Sequence, residues 1–194
     1  MLNAAPASSN GNQNWTYADY KEWEFKPDER FELINGIAYA LAAPNTGHQL
    51  ILSSLHGEFY HLCKGKKCKA IPAPFAVRLF YAADESDNTV VQPDLVVVCD
   101  PEKLGSEGCR GAPDLVVEIL SPSTTAIKMH RKLNLYWDAG VGEYWVIDPE
   151  EKLIEVYRLT EGRYHAQILR NDDILEPGLF PGLEINLKAL FAPV

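Results

Sequence analysis

The chain has 194 residues, of which 46% are hydrophobic and 10% aromatic, and its formal net charge at pH 7 is −9. This composition fits one globular domain and excludes a disordered chain, and no apolar run approaches the ~18 residues that a membrane span needs. The acidic charge argues against a protein that coats nucleic acid without sequence preference.

The N-terminal region has no basic start followed by an apolar stretch, as a signal peptide would. We expect residues 1–14 to be a disordered tail and 15–194 to be a single domain in a cytoplasmic protein. Four cysteines in a chain without an export signal are expected to be free thiols. They are Cys63, Cys68, Cys99 and Cys109.

The predicted elements begin with a short helix over Thr16–Phe25, for which Thr16 is the N-cap candidate. Phe31–Tyr39 has strand-like runs on both sides of Asn35-Gly36, which is a strong hairpin signal. Apolar residues at helical spacing then predict a helix over Gly47–Lys64. Ala70–Phe80 is predicted as a strand, although Pro72 and Pro74 weaken its start.

The second half of the chain is predicted to alternate between strands and a helix. Ser123–Ala139 has the pattern of a helix, with Ser121 or Ser123 as its cap and Gly140 after its end. Further strands are predicted at Glu143–Asp148, Leu153–Tyr157 and Tyr164–Leu169. The element order indicates an α/β fold, with a mixed β-sheet flanked by helices and preceded by an N-terminal helix and β-hairpin.

A repeated phrase lies between the predicted hairpin and the second long helix. Pro-Asp opens two β-branched apolar runs, Pro93–Val98 and Pro113–Leu120, and both are typical of buried strands. The second run contains Glu118. A carboxylate inside an apolar strand is costly unless it is paired, and a metal ion is the usual partner when a second carboxylate is near.

The position of that second carboxylate follows from strand register. If Asp100–Ala112 is the loop of an antiparallel hairpin, opposed residues have numbers with a constant sum. This sum pairs Asp94 with Glu118, with Cβ atoms roughly 5 Å apart. Asp114 lies on the same strand as Glu118 at roughly 13 Å, too far to share one ion, so it is expected to serve only as the start of the strand.

Two carboxylates in this arrangement suit Mg²⁺ or Mn²⁺, which takes hard oxygen ligands. The backbone carbonyl of Ile119 is placed to add a third. Such an ion polarises a phosphodiester and activates a water, and a nearby lysine would orient or deprotonate that water. The following helix has Lys128, Lys132 and Tyr136 on one face, and we choose Lys132.

Seven of the 18 basic residues fall in two short stretches. They form either a local positive surface on an acidic body or two solvated faces. The two stretches contain Lys64, Lys66, Lys67 and Lys69, and Lys128, Arg131 and Lys132.

The combination of Asp94, Glu118 and a basic helix resembles the PD-(D/E)XK nuclease superfamily. More closely, the run from Pro113 to Pro149 is similar to the Uma-type restriction endonuclease family, as are Phe31–Gly36 and His48. This resemblance implies a restriction-endonuclease-like fold and a metal-dependent endonuclease acting on DNA. It also implies metal ligation by Asp94 and Glu118.

The resemblance further implies roles for two residues outside the carboxylate pair. Lys132 would be a displaced catalytic lysine, because the superfamily's lysine position, two residues after the acid, is Leu120 here. Glu32 would contribute to the site.

Several alternatives stay open at this point. The chain could be a catalytically inactive nuclease-fold module for binding or assembly, since the in-strand lysine is missing. Glu118 could be a structural carboxylate bonded to Tyr136 or Lys132, and His48 could simply start a helix. Tyr136, Tyr144 and Trp145 are expected in the core. Cutting both DNA strands needs two sites, so a homodimer is one expectation.

Overall fold

The computed structural model describes residues 3–4, 14–24, 29–121 and 126–192, and side chains within 14–23, 29–121 and 131–192. The elements of the first half are β1 (Asn3–Ala4), α1 (Tyr17–Lys21), β2 (Trp23–Glu24), β3 (Phe31–Ile34), β4 (Ile37–Ala40), α2 (Thr46–Cys63), β5 (Lys69–Pro72), β6 (Val77–Arg78), β7 (Val90–Val91) and β8 (Leu95–Val98). Those of the second half are β9 (Leu104–Gly105), β10 (Gly108–Arg110), β11 (Leu115–Ile119), α3 (Ala126–Ala139), β12 (Glu143–Asp148), β13 (Leu153–Thr160), β14 (Arg163–Arg170), β15 (Ile174–Leu175), β16 (Ile185–Asn186) and α4 (Leu187–Leu190).

Two six-stranded sheets form the body of the molecule. The central sheet has the order β14-β13-β12-β11-β8-β5, and the hairpin sheet has the order β4-β3-β7-β6-β10-β9. In the central sheet β11 and β12 run parallel and the other neighbouring strands run antiparallel, so the sheet is mixed. Helix α3 makes the crossover that a parallel pair requires. The α/β prediction is therefore confirmed.

The inner strands β8, β11 and β12 of the central sheet are buried on both faces. Leu115, Val117 and Ile119 of β11 join the core cluster that contains α2, whereas Val116 joins the cluster that contains α3. Because successive strand residues point to opposite faces, Glu118 is directed with Val116 toward α3. This alternation brings a carboxylate under the helix that carries Lys132.

The first hairpin forms as predicted, and α2 (Thr46–Cys63) lies within one residue of its predicted bounds at each end. Strands β3 and β4 pair around Asn35 and Gly36, whose φ values of 50° and 75° are those of a tight hairpin turn. A side chain at Gly36 would also meet Asn14.

Thr16 caps α1 through Asp19, but the helix ends at Lys21, and Phe25 lies outside the described residues.

The prediction of one strand over Ala70–Phe80 is wrong. The segment contains β5, which edges the central sheet, and β6, which belongs to the hairpin sheet. Pro72 is the last residue of β5, and Pro74 lies between the two strands. Since proline cannot donate to a ladder, the chain leaves one sheet there and enters the other.

The region between the two Pro-Asp strands is also more than a loop. Asp100–Ala112 contains a short 3-10 turn at Pro101–Lys103, followed by β9 and β10, and β10 pairs in parallel with β6. The excursion therefore contributes two strands to the hairpin sheet, although its ends still set the register expected for β8 and β11.

The prediction of four free thiols is wrong for two cysteines. Cys68 and Cys99 form a disulfide, while Cys63 and Cys109 are buried and free. Lys69 pairs with Val98 in the antiparallel β5–β8 ladder, which sets the two cysteines opposite each other at the end of the ladder. The sequence spacing did not indicate that β5 would pair with β8.

The predicted N-terminal tail and the predicted cap of the second long helix lie mostly outside the residues that the structure describes. Of the predicted N-terminal tail, the structure describes Asn3–Ala4, paired with β2, and Asn14, so the division at residue 15 stays a prediction. Ser123 as a helix cap lies outside the described residues, whereas Gly140 follows α3 with φ of 80°. No helix in the described part of the chain is long and apolar enough to cross a membrane.

Candidate active site

The paired strands β8 and β11 have the register expected from the sequence. Leu115 pairs with Val97, Val116 with Val96 and Val117 with Leu95. Continuing this register one step beyond the last pair sets Asp94 against Glu118. Both side chains line the same cavity, so they lie on one side of the sheet.

Asp94 is held by two donors on one oxygen. The backbone N–H of Ile119 donates to Oδ2 at 2.7 Å, and His48 Nε2 lies 3.1 Å from the same atom. His48 reaches the site from the first turn of α2, where Asn45 caps the helix by accepting the His48 N–H at 2.9 Å. His48 is therefore both a helix-start residue and a neighbour of the carboxylate.

Glu118 is held in a similar way by α3. Lys132 Nζ donates to Oε1 at 2.8 Å, and the Tyr136 hydroxyl donates to the same oxygen at 2.6 Å. The two donors are four residues apart on the helix and so lie on one face. Both contacts considered for a structural Glu118 are thus present. Lys128 lies in the same helix, but its side chain is outside the described part.

Glu32 completes this cluster from the hairpin sheet. It is 2% exposed, and its Oε1 accepts hydrogen bonds from Lys132 Nζ and from the backbone N–H of Gln92, both at 2.9 Å. Lys132 therefore bridges Glu32 and Glu118, which come from different sheets. Asp94, Glu118, Glu32, Lys132 and Ile119 all line the cavity.

Asp114 lies apart from this cluster, as expected. Its Oδ2 accepts the backbone N–H of Cys99 at 2.6 Å, which fastens the start of β11 to the end of β8. Of the two Pro-Asp phrases, only the first delivers its aspartate to the cavity.

The pKa values of Glu118 and Lys132 are shifted by burial and by the neighbouring charges. Burial raises the pKa of Glu118 to about 7, with the Lys132 ammonium opposing the rise and the Glu32 and Asp94 carboxylates adding to it. Burial alone would lower the pKa of Lys132, but the Glu118 and Glu32 carboxylates outweigh it and raise that pKa. Lys132 therefore stays protonated at neutral pH. Glu32 and Asp94 lie close enough for their charges to raise the pKa of Glu118, and repulsion between carboxylates favours the entry of a cation.

The pKa of His48 is likewise affected by burial and by a neighbouring carboxylate. Burial would lower its pKa, but the hydrogen bond to Asp94 and the Asp94 charge raise it. Its Nδ1 is buried and has no hydrogen-bond partner among the described residues.

The cavity has a volume of about 240 Å³. Its floor is the charged cluster, and its walls come from β3, β4 and the segment after β4, together with α3 and the end of β11. The wall residues include Arg30, Ile34, Tyr39, Leu41, Pro44, Leu120 and Arg131.

The donor atoms fit a hard divalent cation of the Mg²⁺ type. The described hydrogen bonds occupy Oδ2 of Asp94 and Oε1 of Glu118, and they leave one oxygen of each carboxylate without a partner. Mg²⁺ is commonly bound through one or two carboxylates while it keeps several waters. Among the described side chains there is no group of three or more His, Cys, Asp and Glu residues arranged as a metal site. A site here would therefore need ligands from water, substrate or backbone.

Sequence reasoning missed part of this arrangement. The backbone of Gln92 and the wall residues Tyr39 and Arg131 were not singled out as members of the site. Tyr136 was expected in the core, with a bond to Glu118 as an alternative; it is fully buried, and its hydroxyl bonds Glu118. For Tyr39, the signal was its position in the hairpin opposite Glu32.

The chain is similar to known proteins in sequence and in fold. Residues 17–188 match the family model Uma2, described as "Putative restriction endonuclease". An uncharacterized protein of Synechocystis sp. is 30% identical over 144 residues, which are 74% of this chain and 73% of that protein.

A solved structure has the same fold. It is "a putative nuclease belonging to DUF820" from Anabaena variabilis ATCC 29413, with a TM-score of 0.73 at 21% identity, and the match covers 92% of this chain and 98% of that one. This match confirms the restriction-endonuclease-like fold that the sequence predicts.

Proposed function

The chain belongs to the Uma2 family, described as "Putative restriction endonuclease", and we propose that it is a nuclease that hydrolyses phosphodiester bonds in DNA with Mg²⁺ or Mn²⁺. The observation that carries the proposal is the meeting of Asp94, Glu118 and Lys132 in one cavity. Carboxylates and a protonated lysine at a cavity floor are the groups that phosphodiester hydrolysis uses.

Metal ligation is assigned to Asp94, Glu118 and the carbonyl of Ile119. The ion would polarise the phosphate and lower the pKa of the attacking water. Ile119 supports this arrangement in a second way, since its N–H fixes Asp94 Oδ2 at 2.7 Å. His48 holds the same oxygen and so limits rotation of the carboxylate.

Lys132 is assigned to the phosphate. In hydrolysis the water loses a proton as its oxygen forms a new bond to phosphorus, the bond to the leaving sugar oxygen breaks, and that oxygen takes up a proton. Since the pKa of Lys132 is raised by its carboxylate neighbours, its ammonium is suited to offset negative charge and to orient the water. Glu32 acts through Lys132, because it holds the ammonium at 2.9 Å in a buried position.

One observation favours the second candidate, a nuclease-fold binding or assembly module without activity. Lys132 and Tyr136 both bond the same oxygen of Glu118, as they would in a purely structural network. The superfamily lysine position is also Leu120 in this chain.

Cleavage of supercoiled plasmid in Mg²⁺, in Mn²⁺ and in chelator separates the two candidates. The nuclease proposal predicts nicked or linear product only with metal, and none from Asp94→Asn. Asp114→Asn is the matched control, because it changes the aspartate of the other Pro-Asp phrase and should cut like the native protein. Absence of product from well-folded native protein on plasmid and on single-stranded DNA would support the inactive module.

The assembly state and location are further proposals. A homodimer would bring two sites to one duplex, and sedimentation of the native chain with and without DNA would detect it. A cytoplasmic location is proposed with it, as expected for an enzyme that acts on cellular DNA.

A further inference from the structure

The cavity has a wall that phosphodiester hydrolysis does not require. Tyr39 lies opposite Glu32 in the β3–β4 ladder, so its ring stands beside the charged cluster on the same face of the hairpin. Leu41, Pro44 and Leu120 extend the wall with apolar surface. A site that held only a phosphate and a metal would have no use for this surface.

Arg131 supplies a positive charge to the same wall. Its guanidinium carbon lies 4.8 Å from the centre of the Tyr39 ring, within the range of a cation–π contact. Arg131 is adjacent to Lys132, but the two differ in pairing. Lys132 is bonded to two carboxylates, whereas Arg131 makes no ion pair with any residue that the structure describes. Its charge remains available to an anion.

The size of the cavity limits what can enter. Pockets that enclose drug-sized ligands have roughly 300–1,000 Å³, and this one has about 240 Å³. That volume suits a single nucleoside unit and not a stacked base pair. Unpaired bases bind proteins by stacking on aromatic rings and on arginine guanidinium groups.

We propose that Tyr39 and Arg131 form a subsite for one unstacked nucleotide, whose base packs against this pair while an adjoining phosphate bonds the guanidinium. The protein would then prefer single-stranded or locally unpaired DNA to intact duplex. This inference rests on the proposed function, because it takes a phosphodiester to be the group that reaches the cluster below.

The test is a binding measurement without metal, so that it does not depend on cleavage. Fluorescence anisotropy in chelator would compare a labelled oligodeoxynucleotide as a single strand, as a matched duplex and as a duplex with one bulged nucleotide. The native protein should bind the single strand and the bulge more tightly than the matched duplex. Tyr39→Leu should weaken single-strand binding by roughly 5- to 100-fold and leave duplex binding unchanged.

The matched control for Tyr39→Leu is Tyr60→Leu, which removes an exposed ring from α2, 51% exposed and outside the cavity lining. It should bind all three probes like the native protein. Since Tyr39 also packs against the core, Arg131→Gln provides a second, independent variant. Arg131→Gln should weaken single-strand binding and reduce the slope of log Kd against log salt by roughly 0.7. Arg163→Gln, on exposed β14, is its control.

The inference is overturned if the native protein binds matched duplex as tightly as the single strand, or if the cavity variants behave like their controls. Its failure is distinguishable from failure of the proposed function. Metal-dependent cleavage without Tyr39-dependent binding would overturn the subsite alone. Tyr39-dependent binding without cleavage would support the subsite and contradict the nuclease.

Discussion

Two buried clusters of charged side chains in this molecule differ in how their charges are paired and in the space beside them. In the hairpin sheet Arg78 meets Asp87 through two guanidinium nitrogens, donates to the Ala82 carbonyl at 2.7 Å and packs between the rings of Tyr17 and Tyr81. One cation faces one carboxylate, and the adjoining void is only about 10 Å³, room for roughly one water.

The cluster at the central sheet contains three carboxylates, Lys132 and His48, and it borders a larger cavity. Glu32 and Glu118 share Lys132, Asp94 faces His48, and a cavity of about 240 Å³ opens beside them. A one-to-one ion pair with almost no space beside it stabilises a fold, whereas neighbouring carboxylates next to a cavity leave room and charge for a ligand. The difference between the clusters is thus the main argument for where the chemistry occurs.

The largest expected effect is the loss of DNA cleavage when Lys132 of α3 is replaced, with Lys128 of the same helix for comparison. Lys132→Ala should abolish metal-dependent cleavage of plasmid DNA, because the ammonium near the phosphate is lost, while metal binding should remain, since an ammonium is not a metal ligand. Lys128→Ala is the control and should weaken DNA binding more than turnover. Native cleavage by Lys132→Ala together with an inactive Lys128→Ala would move the assignment by one helical turn.

The next effect concerns stability and uses matched amide substitutions in the two clusters. Asp87→Asn should lower the free energy of unfolding by about 3–5 kcal/mol, because it leaves the buried Arg78 without its carboxylate. Glu32→Gln should cost less than about 1 kcal/mol, since Lys132 keeps Glu118 and one repelling charge is removed. Urea unfolding measures both, and equal costs would contradict the contrast between the clusters.

The smallest effect is a pH dependence that belongs to the cluster at the central sheet. The pKa of Glu118 is about 7 in the folded chain and 4.5 as its ordinary value, so between these values the folded state retains a proton that the unfolded state has lost. The free energy of unfolding of the metal-free protein should therefore fall as pH rises from about 4.5 to 7, by on the order of 1–3 kcal/mol.

Glu118→Gln has no such proton and provides the comparison for that pH series. Its unfolding free energy should change less than that of the native protein over the same interval. Parallel pH curves for the two proteins would show that Glu118 titrates normally and that the cluster is not strained by its charges.

The sequence allowed prediction of those parts of the site that depend on local geometry. Strand alternation and hairpin register placed Asp94 against Glu118, and a helical spacing of four placed Lys132 and Tyr136 on one face. Both patterns repeat within one or two elements, so residue numbers are enough to derive them.

The remaining contacts depend on which elements become neighbours. Glu32 meets Lys132 across 100 positions in sequence, and Cys68 meets Cys99 because β5 edges the central sheet. Tyr39 meets Arg131 only when the hairpin packs beside α3. Resemblance to a family pointed to Glu32, but none of these three contacts follows from spacing along the chain.

The most direct test of the account is a thermal melt with and without Mn²⁺. If Asp94 and Glu118 hold the metal, saturation at about 100 times Kd should stabilise the native protein by roughly 2.7 kcal/mol. Asp94→Asn should lose this stabilisation, and Asp114→Asn should keep it. Identical melts of the native protein with and without Mn²⁺, or a native response from Asp94→Asn, would contradict the account.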